Sequence, residues 1–316
     1  MSQDSTPTPD APSSVVVLAG GTGGAKLASG FAGLPDVRLS VIANTGDDVT
    51  VYGARVCPDP DLIIFHLAGR INDRGWGLDG DTFHAMAQLG ELDADNWFQL
   101  GDKDLAIGID RAERLAAGQT LTQATAALAE SFGVSAAVLP MCDEPVATHV
   151  VVGGVPRPFQ EFMIVDQARG PVEAVVLEGI TAAKPTAEVL SAIASADVIV
   201  IGPSNPAISI GPILAVPGMS QAIQTASAPV VAVSPLVHGS AIKGPTEEFL
   251  RAAGVEQSAA GIAQHYAALI NGLVADQDVT ATPTLLTDLL MDGEEGRRRL
   301  AAETLAFAMT LEVNGQ

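Results

Sequence analysis

Apolar residues in this chain come in short, nearly unbroken runs. "SVVVLAG" (14–20), "VRLSVIAN" (37–44), "ADVIVIGP" (196–203) and "APVVAVSP" (228–235) each predict a strand covered on both faces, because a strand with one wet face would alternate. Alanine-rich stretches with helical spacing lie between them. This order predicts an α/β, Rossmann-like, doubly wound fold with a mainly parallel sheet. Residues 59–133 read as mainly helical, with a threonine start and a glycine stop around "TLTQATAALAESFG", and 134–178 return to strand-like pieces. The strong strand and loop units flank that region. It therefore reads as a helical and strand-containing insertion (59–178) in a nucleotide-binding-like core (15–58 and 179–316), the whole forming one domain. Residues 1–14 have neither a basic nor an apolar segment and read as a disordered leader. In the tail, Ser258 is expected to cap a helix that Gly272 ends.

Composition narrows the function. The 37 acidic residues against 16 basic give a formal net charge of −21, which repels nucleic acid and anionic membrane surfaces. No stretch approaches the roughly 18 apolar residues of a membrane span. Cys57 and Cys142 stand far apart, which fits a reducing cytoplasm and argues against a cysteine-built metal site. A cytoplasmic protein is the expectation.

Candidate chemistry clusters where strands end. The first strand runs into Gly20, Gly21, Thr22, Gly23 and Gly24, and a helix is expected from about Ala25, with Lys26 in its first turn. Bare backbone N–H groups at a helix start suit a phosphate. The dinucleotide pattern fails at Lys26, and the phosphate-loop pattern of nucleotide hydrolases fails at Ala25 and Leu27. After the second strand come Asn44, Asp47 and Asp48, then Asp59 and Asp61. Doubled acids beside a phosphate loop suggest Mg²⁺ rather than the single acid that a nicotinamide cofactor wants. Two further loops carry Ser204 and Asn205, suited to a helix cap or to a sugar or base, and His238, Ser240 and Lys243. Trp76, Trp97 and Phe98 could line a pocket for a flat ring or pack a core.

With those residues in hand, the chain resembles the 2-phospho-L-lactate transferase family of coenzyme F420 biosynthesis, whose bacterial members are described as phosphoenolpyruvate transferases. The resemblance runs from about Val15 to Asp278 through "GGTGGAKL", "NTGDD", "CPDPD", "GWGLDGDTF", "WFQLGDKDLA", "LPMCDEPVATHV", "FQEF", "IGPSNPAISIGPIL" and "AVSPLVHGSAIKGP". It implies a homodimeric, Mg²⁺-dependent enzyme that takes a guanosine diphosphate-linked three-carbon acid. The phosphoacyl-acid unit goes to the ribityl hydroxyl of the deazaflavin Fo, and GMP is released. By position, the resemblance makes Asp47 and Asp61 acidic metal and active-site residues, with Asp48 adjacent to them. It associates Asp61 and Gln99 with Fo. Gly21, Thr22, Gly23, Gly24 and Lys26 would hold phosphate, and Ser204, Asn205 and Lys243 would place the guanosine diphosphate part. "PDPDLI", Gln99 and "DLAIG" depart from the commoner P-D-L-D-T, basic residue and D-L-A-T-H. A related family of gluconeogenesis factors that bind nucleotide sugars offers the alternative reading, a non-catalytic regulator.

Overall fold

The computed structural model describes residues 13–241 and 245–312. In chain order the elements are β1 (Ser13–Ala19), α1 (Gly21–Ala32), β2 (Val37–Ala43), β3 (Val49–Val51), β4 (Ala54–Val56), α2 (Pro58–Leu67), α3 (His84–Glu91), α4 (Asp102–Ala116) and α5 (Leu121–Ser131). Next come β5 (Ala137–Pro140), β6 (Ala147–Val152), β7 (Val155–Pro158), α6 (Phe159–Ile164), β8 (Ala174–Glu178), α7 (Ala187–Ala194) and β9 (Val198–Ile201). Then follow α8 (Gly211–Ala215), α9 (Met219–Gln224), β10 (Val230–Val233), β11 (Leu236–Val237), β12 (Ser240–Ala241), α10 (Thr246–Ala252), α11 (Ala259–His265), β13 (Gly272–Ala275), β14 (Thr284–Leu286) and α12 (Gly293–Ala308).

Seven strands form one sheet in the order β14-β13-β10-β9-β1-β2-β5, with every pairing parallel. Successive side chains of a strand face opposite layers, so an unbroken apolar run feeds two cores. Val15 and Val17 of β1 join Leu27 and Phe31 of α1, Ile63 and Ile64 of α2 and Leu300 of α12. Val16 and Leu18 join Val189, Ile213, Met219 and Ile262 on the other face. The α/β, doubly wound expectation holds.

Several boundaries differ from the sequence reading. Ser13 and Ser14, expected in the leader, open β1, where the Ser14 N–H donates to Asp197 Oδ2 at 2.7 Å. Residues 1–12 of that leader lie outside the described residues. Helix α1 starts at Gly21 rather than Ala25, because glycine's poor helix propensity hides a first turn fixed by tertiary contacts. The segment 59–178 is not wholly an insertion. It supplies β5 to the sheet edge, and α2 and α5 to the layer beside it. Thr120 caps α5 in a capping box with Gln123. Ser258 caps α11, but that helix stops at His265 and Gly272 instead opens β13.

Besides the short β11–β12 hairpin, two small units with cores of their own lie outside the sheet layers. The β3–β4 hairpin, α3 and the start of α4 enclose a satellite core of Val51, Val56, Met86, Phe98 and Leu100. The antiparallel sheet β7-β6-β8 and α6 set Val150, Phe159 and Phe162 against Ile208 and Phe249.

Candidate active site

Strand β1 lies between β9 and β2, so the chain winds outward from it in both directions. Loops leaving the carboxyl ends of β1 and β9 therefore face each other across a crevice, where open parallel sheets bind ligands. Gly21 opens α1 at φ +65°. A Cβ on Gly23 would lie 2.2 Å from the Pro203 carbonyl oxygen, and one on Gly24 would lie 2.6 Å from Ser204 Oγ. Only glycines let the two loops approach this closely. Ser204 Oγ accepts the Gly20 N–H at 3.3 Å, and Asn205 Oδ1 accepts the Ala207 N–H at 2.8 Å as the cap of the following helical turn. A cavity of about 300 Å³ opens here, lined by Gly20, Gly21, Thr22, Gly23, Lys26, Ser204, Asn205 and Ser209. Met163 and residues 289–292 close its sides. Gly24 is buried behind it against Ala19.

The acids divide into two groups. Asp59, in the first turn of α2, reaches the start of α1, where its Oδ1 accepts the Gly21 N–H at 2.6 Å and its Oδ2 accepts Asn44 Nδ2 at 2.9 Å. Asp47 belongs with it, and each carboxyl is buried. Burial, and then the charge of Asp59, push Asp47 well above the ordinary carboxylate range; Asn44 and Thr148 offset part of this. Burial pushes Asp59 up to about 6. The second group is compensated by arginines. Asp48 Oδ2 accepts from Arg55 Nη2 at 3.2 Å and from the Cys57 thiol at 2.9 Å. Burial outweighs that arginine and raises Asp48 to about 7. Asp61 has both oxygens on the Arg111 guanidinium. Its carboxyl is also raised by burial, against the pull of Arg111.

The structure does not bring the expected metal set of Asp47, Asp61 and Asp48 together as one group. Asp61 and Asp48 face arginines, and the carboxylate that joins Asp47 at the glycine helix is Asp59. Among the described residues no three His, Cys, Asp or Glu side chains gather as a metal cage. Two carboxylates still fit Mg²⁺, which is held by one or two of them while waters and substrate phosphates fill the other positions. Asp47 Oδ1 is buried without a hydrogen-bond partner, and the repulsion between Asp47 and Asp59 is what a divalent ion would remove.

The same shifts set a pH dependence. Folded-state values raised above the unfolded ones mean that the native state holds extra protons, so their stabilisation is complete below the unfolded values and is lost as pH rises through about 6 and about 7. Thermal melts of metal-free protein are expected to fall from about pH 5 to about pH 8, with Mg²⁺ restoring the midpoint at the upper end. A Mg²⁺ response equal at both pH values would remove the buried acids as its cause.

Other predicted residues fall elsewhere. Gln99 is exposed in the connection before α4 and donates to the Asn96 carbonyl, outside the lining of the glycine cavity. Trp97 packs edge-on to Phe98 at 5.4 Å against the satellite core, so core packing is the role this pair takes; Trp76 is exposed. His238 pairs with Asp276, and Ser240 lies exposed in β12. Lys243 lies outside the described residues. Two residues that sequence reasoning missed are Arg111 and Gln160, whose Nε2 donates to the Asp47 carbonyl at 3.0 Å.

Comparison with known proteins gives the family. Residues 15–299 match the family described as 2-phospho-L-lactate transferase CofD. A phosphoenolpyruvate transferase from Streptomyces coelicolor is 40% identical over 93% of this chain and 98% of that protein. Another from Streptomyces griseus is 43% identical over 83% of this chain and 85% of its own length, and one from Mycobacterium avium is 36% identical over 87% and 94%. Among solved structures, a Bacillus halodurans member of the upf0052 family superposes with a TM-score of 0.61 at 17% identity, covering 93% of this chain and 99% of that one. That likeness shows the fold alone. A glycine-helix cradle, a buried acidic pair and a match spanning almost the whole chain lead to one conclusion: this protein is a transferase and belongs to the 2-phospho-L-lactate transferase CofD family.

Proposed function

We propose that this enzyme moves a phosphoenolpyruvyl group from a guanosine diphosphate-linked three-carbon acid to the ribityl hydroxyl of Fo, releasing GMP, in coenzyme F420 biosynthesis. The observation that carries the reading is the buried Asp47–Asp59 pair, with Asp59 bonded to the first N–H of the glycine helix, whose residues 21–23 and Lys26 line a cavity together with Ser204 and Asn205. The name shared by the relatives favours phosphoenolpyruvate over lactate as the acid.

The acceptor hydroxyl oxygen attacks the phosphorus that bears the three-carbon acid. A new P–O bond forms as the bond from that phosphorus to the bridging oxygen breaks, and GMP leaves with the electron pair. The hydroxyl proton passes to Asp61, which burial makes more basic than an exposed carboxylate. Backbone N–H groups of Thr22 and Gly23 and the Lys26 ammonium hold phosphate oxygens, while Gly21 and Gly24 shape the turn that presents them. Ser204 and Asn205 place the nucleotide, with Lys243 assigned to the same task by family resemblance and Gln99 to the acceptor. Asp47 and Asp59 would hold Mg²⁺, which when bound would neutralise charge on the diphosphate. Asp48, held by Arg55 and Cys57, stands on the arginine-paired side with Asp61 rather than with the proposed metal pair.

The reading includes a cytoplasmic homodimer, and among the described residues no helix is long and apolar enough to cross a membrane. A sizing column with light scattering should return twice the monomer mass. The decisive assay incubates the enzyme with Fo, Mg²⁺ and each guanylylated three-carbon acid, followed by mass analysis. A phosphodiester-linked deazaflavin bearing phosphoenolpyruvate is the expected product; folded protein that makes no such linkage from any donor would falsify the reading.

A further inference from the structure

The buried ion pair between Arg111 and Asp61 ties the helical unit outside the sheet to the centre of the site. Arg111 lies on α4 and is 2% exposed. Its Nη1 donates to Asp61 Oδ2 at 3.1 Å and to the Arg55 carbonyl at 2.9 Å, while Nη2 donates to Asp61 Oδ1. The carbonyl on β4 thus fixes the plane of the guanidinium, and the guanidinium fixes both carboxylate oxygens. An apolar pair of similar volume would hold α4 to α2 equally well, since a buried ion pair loses in desolvation much of what it gains in attraction. What an apolar pair would not do is hold a carboxylate in one orientation beside Asp48, apart from the Asp47–Asp59 pair.

We propose that Arg111 is a positioning residue of the transferase, holding the Asp61 carboxylate toward the acceptor hydroxyl and away from the cation-binding pair. The inference rests on the acceptor role given to Asp61 above. Arginine is required over lysine, because only a planar fork meets both carboxylate oxygens while a third bond goes to a backbone carbonyl. Loss of the fork therefore affects the acceptor half of the reaction and leaves the donor half intact.

The test compares wild type with Arg111→Met, Arg111→Lys and the neutral pair Arg111→Met/Asp61→Asn. It reads kcat, KM for acceptor and donor, GDP affinity with Mg²⁺ in the absence of turnover, and thermal midpoint. Arg111→Met is expected to lower kcat/KM for the acceptor by about 100-fold or more, a loss typical of breaking a buried charged pair, with GDP affinity within about twofold of wild type. Arg111→Lys should recover roughly tenfold of that loss. The neutral pair should regain the thermal midpoint without regaining turnover. Wild-type acceptor kinetics in Arg111→Met, GDP affinity falling in step with them, or renewed turnover in the neutral pair overturns the positioning role. Should Arg111→Met fail to fold, Arg111→Lys decides alone: normal acceptor kinetics in it overturns the need for a fork. Wild type that binds GDP yet makes no product overturns the function itself, a result distinct from all of these.

Discussion

Asparagine in place of Asp59 is expected to cut turnover by about 1,000-fold or more while raising the thermal midpoint of the metal-free enzyme. The two effects share a cause. Asp59 and Asp47 are buried carboxyls that repel each other, and burial lifts both pKa values. The amide removes one of the like charges, so the metal-free fold relaxes and the pH slope of its melting flattens. On the proposed reading, the same change also leaves Asp47 as the one carboxylate of the pair for Mg²⁺, and so weakens its grip on the ion and the diphosphate. The Asn44 amide bond to Oδ2 and the Gly21 N–H bond to Oδ1 can be kept only in part, because asparagine has one acceptor oxygen. Calorimetric titration with Mn²⁺ should show weakened metal binding alongside the lost activity. Full activity in a folded Asp59→Asn enzyme would remove this residue from the centre.

Alanine in place of Gly23 should be nearly as damaging, for a steric reason. The added Cβ would stand 2.2 Å from the Pro203 carbonyl oxygen, so either the first turn of α1 or the 203–205 loop has to move. Overpacking of this kind typically costs about 1–3 kcal/mol, and here the strain falls on backbone from both sides. The cradle spreads, its N–H groups lose their aim, and GDP affinity should fall by about 100-fold or more with Mg²⁺ present. Calorimetry with GDP and thermal melts read the two consequences separately. Unchanged binding would mean that the phosphates lie elsewhere in the crevice.

Much of this centre could be read from the sequence because its parts adjoin strands. The glycine loop, "NTGDD" and "GPSNP" follow unbroken apolar runs, and chain direction alone puts such loops at one end of a parallel sheet. The choice between Asp59 and Asp61 could not be made that way. Both sit in the first turn of α2, two residues apart, and the rotation of that helix decides which one meets Asn44 and which one meets Arg111. Arg111 was hidden for a different reason. In "DKDLAIGIDRAERLA" an arginine among acids reads as part of a solvated face, and only the packing of α4 on β4 buries it. Gln160 of α6 and Thr148 of β6 approach Asp47 from a separate small unit, across sequence separations that no local pattern encodes. The glycine-opened helix differs from the sequence reading because tertiary contacts override weak helix propensity, and β5, expected as strand-like, differs only in joining the main sheet, which local pattern does not encode.

The seam between β1 and β9 joins stretches of chain that are remote in sequence. Residues 20–26 form one wall of the crevice, while 203–209 and 289–292 form the other. A nucleotide lodged between them acts as a clasp: the free energy with which it binds is the same free energy with which it resists the two walls parting. Nucleotide bound at this seam would therefore add to the cohesion that strand pairing already gives it, by an amount set by its affinity and concentration.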